Sequence, residues 1–155
     1  MINIKEVNCI KTITEHTSFN SLLLLKNNKI ASCSADNTIR IYDPSNDYHC
    51  DQVLKRHSKG VSSICELDDG TIVSCSSSEK SIMIGDYTIK NAHDDEIYLV
   101  ISLPNNRIAS CSRDTIKIWN GAPPYSDTPI KVLEQYNEFF GGLLYIKERY
   151  NGIRI

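Results

Sequence analysis

Three histidines each precede a serine and then an acid: His16 with Ser32 and Asp36, His57 with Ser74 and Glu79, and His93 with Ser110 and Asp114. Serine, imidazole and carboxylate are the parts of a hydrolytic triad, in which the imidazole takes the serine proton and the carboxylate orients the imidazole. That chemistry needs one nucleophile in one cleft, with an oxyanion hole beside it. Three near-equal sets along a single chain argue for the opposite: a repeated unit that must satisfy the same buried polar groups each time.

The serines belong to a repeated phrase. Ile30-Ala31-Ser32-Cys33-Ser34 returns as Ile72-Val73-Ser74-Cys75-Ser76 and as Ile108-Ala109-Ser110-Cys111-Ser112, at steps of 42 and 36 residues. Periods of this length mark repeat architectures built from one supersecondary unit. After each phrase comes an alternating apolar pair, Ile39-Arg40-Ile41, Ile82-Met83-Ile84 or Ile116-Lys117-Ile118, and then Tyr42-Asp43, Gly85-Asp86 or Trp119-Asn120. Between each histidine and its phrase lies a strand-like run closed by a polar turn: Lys26-Asn27-Asn28-Lys29, Asp68-Asp69-Gly70 or Pro104-Asn105-Asn106. Short β-branched runs bounded by Asn, Asp, Gly and Pro predict strands, and no stretch carries a helical period.

This order of features resembles the WD-repeat family, whose unit runs from a Gly-His pair to a Trp-Asp pair through three short strands, with a fourth strand ahead of the next histidine. The intervals from histidine to the Trp-Asp position are 27, 29 and 27 residues, and the likeness covers about residues 9 to 134. It implies an all-β fold of WD-repeat β-propeller blades in a single domain over 1–155. The repeat units fall at about 9–50, 51–86 and 87–129, with a partial fourth at 130–155 in which Tyr136 replaces the histidine. Cys9-Ile10-Lys11-Thr12-Ile13 is expected as an outer strand. Ile2-Asn3-Ile4, within residues 1–8, is expected to complete the last blade. Closure into four blades, pairing of two copies and membership of a longer propeller all remain open on the sequence, because an uncovered blade edge invites pairing.

The resemblance further implies a hydrogen-bonded network inside each blade: His93, Ser110, Asp114 and Trp119 in the third unit, His16, Ser32 and Asp36 in the first, and His57 and Ser74 in the second. Tyr42 and Gly85 stand where the tryptophan would be, which makes the second unit the expected loosest blade. Glu79 follows one residue later than its counterparts. It also implies a partner-binding face near the central channel. The positions that project there are Phe19, Ser21 and Ala35; Gly60, Ser62 and Ser78; and Glu96, Tyr98 and Arg113. Phe19, Tyr98, Arg113 and Glu96 are the expected protein-binding residues, since exposed aromatics and arginine dominate interface energetics. Packing of Phe19 and Tyr98 within the fold is the competing reading. The loop Gly121–Asp127 is either an interaction loop or a plain connection.

Cys33, Cys75 and Cys111 recur at one position, and none of the six cysteines forms a Cys-x-x-Cys pair. Equivalent positions on sheets about 10 Å apart cannot converge on one ion at about 2.3 Å, so no metal and no cofactor is expected. Cysteine here is read as a small buried hydrophobe. Apolar residues make up 41% of the chain and charged residues 23%, as in folded globular proteins, and the net charge of −2 with scattered lysines and arginines disfavours nucleic acid and anionic membrane as partners. The longest strongly apolar run, Leu22 to Leu25, is far short of a membrane span, and no secretory signal is evident, so a cytoplasmic location is expected. The function these features imply is a non-catalytic scaffold that binds a protein or peptide on one face. The alternative is a structural piece, or a part that self-associates into a larger propeller.

Overall fold

The computed structural model describes residues 8–134, which form twelve strands and no α-helix. The strands are β1 (Phe19–Leu24), β2 (Ile30–Ser34), β3 (Ile39–Asp43), β4 (His49–Leu54), β5 (Ser63–Glu66), β6 (Ile72–Ser76), β7 (Ser81–Ile84), β8 (Tyr87–Ile89), β9 (Leu99–Leu103), β10 (Arg107–Cys111), β11 (Thr115–Asn120) and β12 (Lys131–Glu134). They pair in chain order into three four-stranded antiparallel sheets, β1 to β4, β5 to β8 and β9 to β12. Each sheet is one blade.

The turns follow from the residues that close each run. Asn28, Gly70, Asn105 and Asn106, between the first two strands of their blades, all have positive φ, a region that glycine and asparagine enter at least cost. The link from third to fourth strand varies most. In the second blade it is the two-residue turn Gly85-Asp86, with Gly85 at φ +56°. In the third blade it is the long loop that runs from Gly121 to Ile130.

Register places the same positions on the same face in every blade. One face carries Leu23, Ala31, Cys33, Ile39, Ile41 and Leu54 in the first blade. Its counterparts are Cys65, Val73, Cys75, Ile82, Ile84 and Ile89 in the second, and Ile101, Ala109, Cys111, Ile116, Ile118 and Leu133 in the third. This downstream face of the first blade packs on Val61, Ile64 and Ile72 of the second. The downstream face of the second packs on Ile97, Val100, Ile108 and Trp119 of the third. The core therefore lies between blades, which is why a single four-stranded sheet of this kind needs neighbours. The first and third blades are not neighbours, so the described residues form an open arc of a propeller.

Residues 9–13, expected as an outer strand, belong to no sheet among the described residues. They lie beside the end of the first blade, where Lys11 pairs with Asp47 at 2.7 Å. Ile2–Ile4 is the other segment expected from the sequence to complete the last blade. That segment and the partial fourth unit beyond Glu134, with Tyr136, Phe139 and Phe140, lie outside the described residues.

Candidate functional site

The three histidines are buried, and each ring is held at both nitrogens. His16 meets Ser32 Oγ through Nε2 at 2.7 Å and Asp36 through Nδ1 at 2.8 Å. His57 meets Ser74 Oγ at 2.9 Å and Glu79 at 2.7 Å in the same way. A carboxylate only accepts, so Nδ1 carries the proton in both rings. Partial burial pushes Asp36 up, but the Thr38 hydroxyl, the His16 ring and the Thr38 amide together outweigh it and hold the carboxyl at about 2. Burial likewise opposes ionisation of Glu79, and the Ser58 hydroxyl, His57, the Ser58 amide and Ser81 overcome it, again to about 2. The extra residue before Glu79 is absorbed by its longer side chain and by Lys80, which turns the chain with φ +53°, as Asn37 does in the first blade at φ +70°.

In the third blade the expected acid is displaced. Asp114 is exposed, and Nδ1 of His93 meets Thr115 Oγ1 at 2.9 Å instead. The cause is turn length. Four residues separate Ser34 from Ile39 and five separate Ser76 from Ile82, but only three separate Ser112 from Ile116, and none of those three has a positive φ to swing the carboxylate inward. Ser110 Oγ receives the Trp119 indole N–H at 2.7 Å and lies 2.7 Å from His93 Nε2. Nδ1 of His93 pairs with Thr115 Oγ1, which continues to Ser112 Oγ at 2.8 Å. Burial first, and the Lys117 ammonium second, pull the His93 pKa down to about 4, so this imidazole is neutral.

The tryptophan position differs in each blade. Tyr42 is 1% exposed, and its hydroxyl lies beside Ser32 without a hydrogen bond of normal geometry, so it replaces the bulk of the indole and only part of its polar contact. At Gly85 the chain has already begun its turn. A separate, unexpected contact lies on the other face of the sheet: Tyr125, from the long loop of the third blade, stacks on Tyr87 of the second with centroids 4.8 Å apart, and Tyr87 donates to Asp127 at 2.7 Å. Gly121–Asp127 is thus tied down on the neighbouring blade. No signal in the sequence marked Thr115, Ser58 or the Tyr87–Tyr125 pair.

Phe19, Glu96, Tyr98 and Arg113 stand at the edge where the inner strands β1, β5 and β9 begin and where the turns after β2, β6 and β10 lie, as the pairs Phe19 with Ser34, Ser63 with Cys75 and Leu99 with Cys111 show. This edge is continuous. Asn20 donates to Val61 O at 2.7 Å and Ser62 to Ile97 O at 2.9 Å, each joining one blade to the next. Gly60 sits so close to Ala35 that a Cβ there would lie 3.1 Å from the Ala35 Cα. Phe19 is 47% exposed and meets the His16 ring edge-on at 4.9 Å, while Tyr98 is 45% exposed. Glu96 is exposed, and Arg113 makes only a loose 3.6 Å pair with Asp95. Ser62 is committed to the blade junction, which the sequence did not reveal.

The repeat thiols are free. Burial pushes Cys33 and Cys75 up to about 12. Among the described residues, no group of histidine, cysteine, aspartate or glutamate is arranged to hold a metal ion, and no helix is long and apolar enough to cross a membrane.

Residues 7–43 and 48–86 match the family described as WD domain, G-beta repeat. The crystal structure of RRP9 WD40 repeats is similar, with a TM-score of 0.66 at 21% sequence identity over 78% of this chain and 40% of that one. The chain therefore spans about two-fifths of that structure's length, and the likeness is one of fold. No curated protein matches the chain significantly. With two repeats matched in sequence and all three blades built on one pattern, the chain belongs to the WD-repeat family.

Proposed function

We propose that this chain is a non-catalytic scaffold that binds a protein or peptide across the edge where its inner strands begin. WD repeats generally mediate protein–protein interaction. One observation supports this edge in particular: two exposed aromatics, Phe19 and Tyr98, flank a second blade that offers only Gly60, Ser62 and Ser78 there. Small residues on the second blade leave its backbone open to a partner's approach, and the aromatics on either side supply rigid contact area. Arg113 is 70% exposed, and a pair as exposed as Arg113–Asp95 is worth about 0–1 kcal/mol, so redirecting its guanidinium to a partner costs little. The three imidazoles support the absence of catalysis, since both nitrogens of each ring are engaged with internal side chains in buried surroundings. Neither a cofactor nor a metal enters this reading, and the place of action is the cytoplasm.

Affinity capture with the wild type, with Phe19→Ala and with Tyr98→Ala plus Arg113→Ala tests the edge. The set of captured proteins shrinks in the variants, all of which replace exposed side chains and keep the wild-type unfolding midpoint. An unchanged set in both variants rejects this edge.

A further inference from the structure

The loop that carries His57 also carries a serine set among cations. Lys55-Arg56-His57-Ser58-Lys59 opens the link between β4 and β5, outside any strand; His57 is buried there, whereas Lys55, Ser58 and Lys59 are exposed. The Ser58 hydroxyl donates to Oε1 of Glu79 at 2.5 Å, and the Ser58 amide donates to the same oxygen at 2.6 Å. Oε2 of Glu79 meets His57 Nδ1 at 2.7 Å and the Ser81 hydroxyl at 3.0 Å. Glu79 is thus a clamp that fastens the loop before β5 to the turn before β7. Lys80 extends the clamp to the third blade, since its carbonyl accepts the Ala92 amide at 2.8 Å and its ammonium reaches the Asp94 carbonyl. Ser58 therefore stands at the start of a run of contacts that ends two residues ahead of Glu96.

Two observations single this hydroxyl out. Arg56 and Lys55 lie two and three positions ahead of it, the charges that a basophilic serine kinase selects through its own carboxylates. Arg56 Nη1 has no partner among the described residues, so no internal bond at that nitrogen competes. The repeat also shows what an anion at this position goes with. Thr17 and Asp94 are the counterparts of Ser58, each one residue after its histidine. Behind the neutral Thr17 and Ser58, the carboxylates of Asp36 and Glu79 rest on the histidine ring. Behind the anionic Asp94, Asp114 is exposed and the ring has Thr115 instead. No blade holds both anions. We infer that Ser58 is a phosphorylation site for a basophilic protein kinase, and that the phosphate unlocks the Glu79 clamp. The phosphoryl group comes from ATP: the bond from Pγ to the β–γ bridging oxygen breaks, a bond from Pγ to Ser58 Oγ forms, the hydroxyl proton passes to the kinase's base, and ADP leaves. The esterified oxygen can no longer donate to Glu79, and about −1.5 to −2 of charge now stands against a carboxyl held well below the usual carboxylate range. Like-charge repulsion drives Glu79 outward, as Asp114 stands in the third blade, and frees the turn at Lys80. This site stands whether or not a partner uses the edge.

The full chain, incubated with serine kinases selective for basic residues ahead of the serine and with γ-labelled ATP, then mapped by peptide, tests this. One phosphate per chain is expected, at Ser58, and none at that position in Ser58→Ala, which keeps the amide at position 58 and the contacts of Glu79 with His57 and Ser81. In the phosphorylated protein the Ala92 amide, bonded to the Lys80 carbonyl, exchanges with deuterium about tenfold faster or more, as loss of hydrogen bonds to a charged group allows. The Leu25 amide, bonded to the Lys29 carbonyl at the opposite edge, keeps its rate. A synthetic peptide of residues 53–61 separates recognition from access. A peptide that is labelled while the folded chain is not shows that the fold hides Ser58 and overturns the proposal, as does failure of both or phosphate found only at another serine. A phosphorylated chain whose Ala92 exchanges at the unmodified rate or more slowly, its phosphate held by Lys55, Arg56 or Lys59, overturns the unlocking. Labelling and exchange are read with no partner present, so failure of the Phe19 and Tyr98 edge is a separate result.

Discussion

Thr115 Oγ1 lies 2.9 Å from Nδ1 of His93, in the place that the carboxylates of Asp36 and Glu79 occupy against His16 and His57. The third blade therefore buries an imidazole with no carboxylate on it. Such a ring stays neutral, because ionising it away from water has no compensating partner.

The consequence is acid sensitivity. An unfolded histidine titrates near 6.5 and folded His93 near 4. Between those values the unfolded chain binds a proton that the folded chain refuses. Stability is therefore full above pH 6.5 and falls as pH drops towards 4, by up to about 3 kcal/mol for the full shift. Asp36 and Glu79 act lower, losing their contribution from the ordinary carboxylate range down to about pH 2. Urea unfolding midpoints between pH 7 and 4.5 measure the His93 slope. Thr115→Asp restores an acid beside the ring and flattens that slope; a variant with the wild-type slope would show that His93 is not its origin.

The displaced acid gives a second comparison. Asp36→Ala removes an acceptor shared by His16 and Thr38 and costs about 2 kcal/mol, in the range for hydrogen bonds to a charged group. Asp114→Ala touches an exposed side chain with one long contact to Ser112 at 3.4 Å, and stays within about 0.5 kcal/mol of wild type. Equal losses in the two variants, read by urea unfolding at pH 7, would return Asp114 to the network.

The two cases show what the sequence can carry. His16, His57 and His93 lead their serines by 16, 17 and 17 residues, so a shared strand register brings each pair together, and that register is written in the repeated Ser-Cys-Ser phrase. The acid depends on the turn, and deleting one turn residue redirects a side chain that the repeat pattern still aligns. The contact of Tyr125 with Tyr87 joins different blades across 38 residues. It has no counterpart in the other units, so no period could announce it. The order and pairing of the strands were legible, and the stack of Tyr125 on Tyr87 was not.

Ser110 and Ser32 occupy equivalent places with different duties. Ser110→Ala leaves both the Trp119 N–H and His93 Nε2 without a partner inside the protein, whereas Ser32→Ala strands His16 Nε2 and takes from the Tyr42 hydroxyl only a contact short of normal hydrogen-bond geometry. At about 1–3 kcal/mol for each unsatisfied buried group, Ser110→Ala is the costlier by at least about 1 kcal/mol. Calorimetry of the two variants orders them, and the reverse order would contradict the Trp119 bond.

Tyr125 anchors the long loop of the third blade on the second. Tyr125→Ala removes the stack on Tyr87 while leaving the strands of the first blade untouched. Amides of Tyr87–Ile89 then exchange with deuterium faster, and those of Ile30–Ser34 keep their wild-type rates. Unaltered exchange over β8 would mean that the two-residue turn at Gly85 is sufficient by itself.

The six thiols divide by burial. Only a thiolate attacks a disulfide reagent, and burial of Cys33 and Cys75 to a pKa of about 12 leaves almost none at neutral pH. Cys65 is pushed higher still by burial, and Cys111 upward by the same cause. Cys9 is exposed and Cys50 half-buried at the rim of the first blade. Native protein at pH 7.5 therefore reacts with reporter fastest at exposed Cys9, more slowly at half-buried Cys50 and Cys111, and at Cys33, Cys65 and Cys75 only on unfolding; six equally fast thiols would contradict this burial pattern.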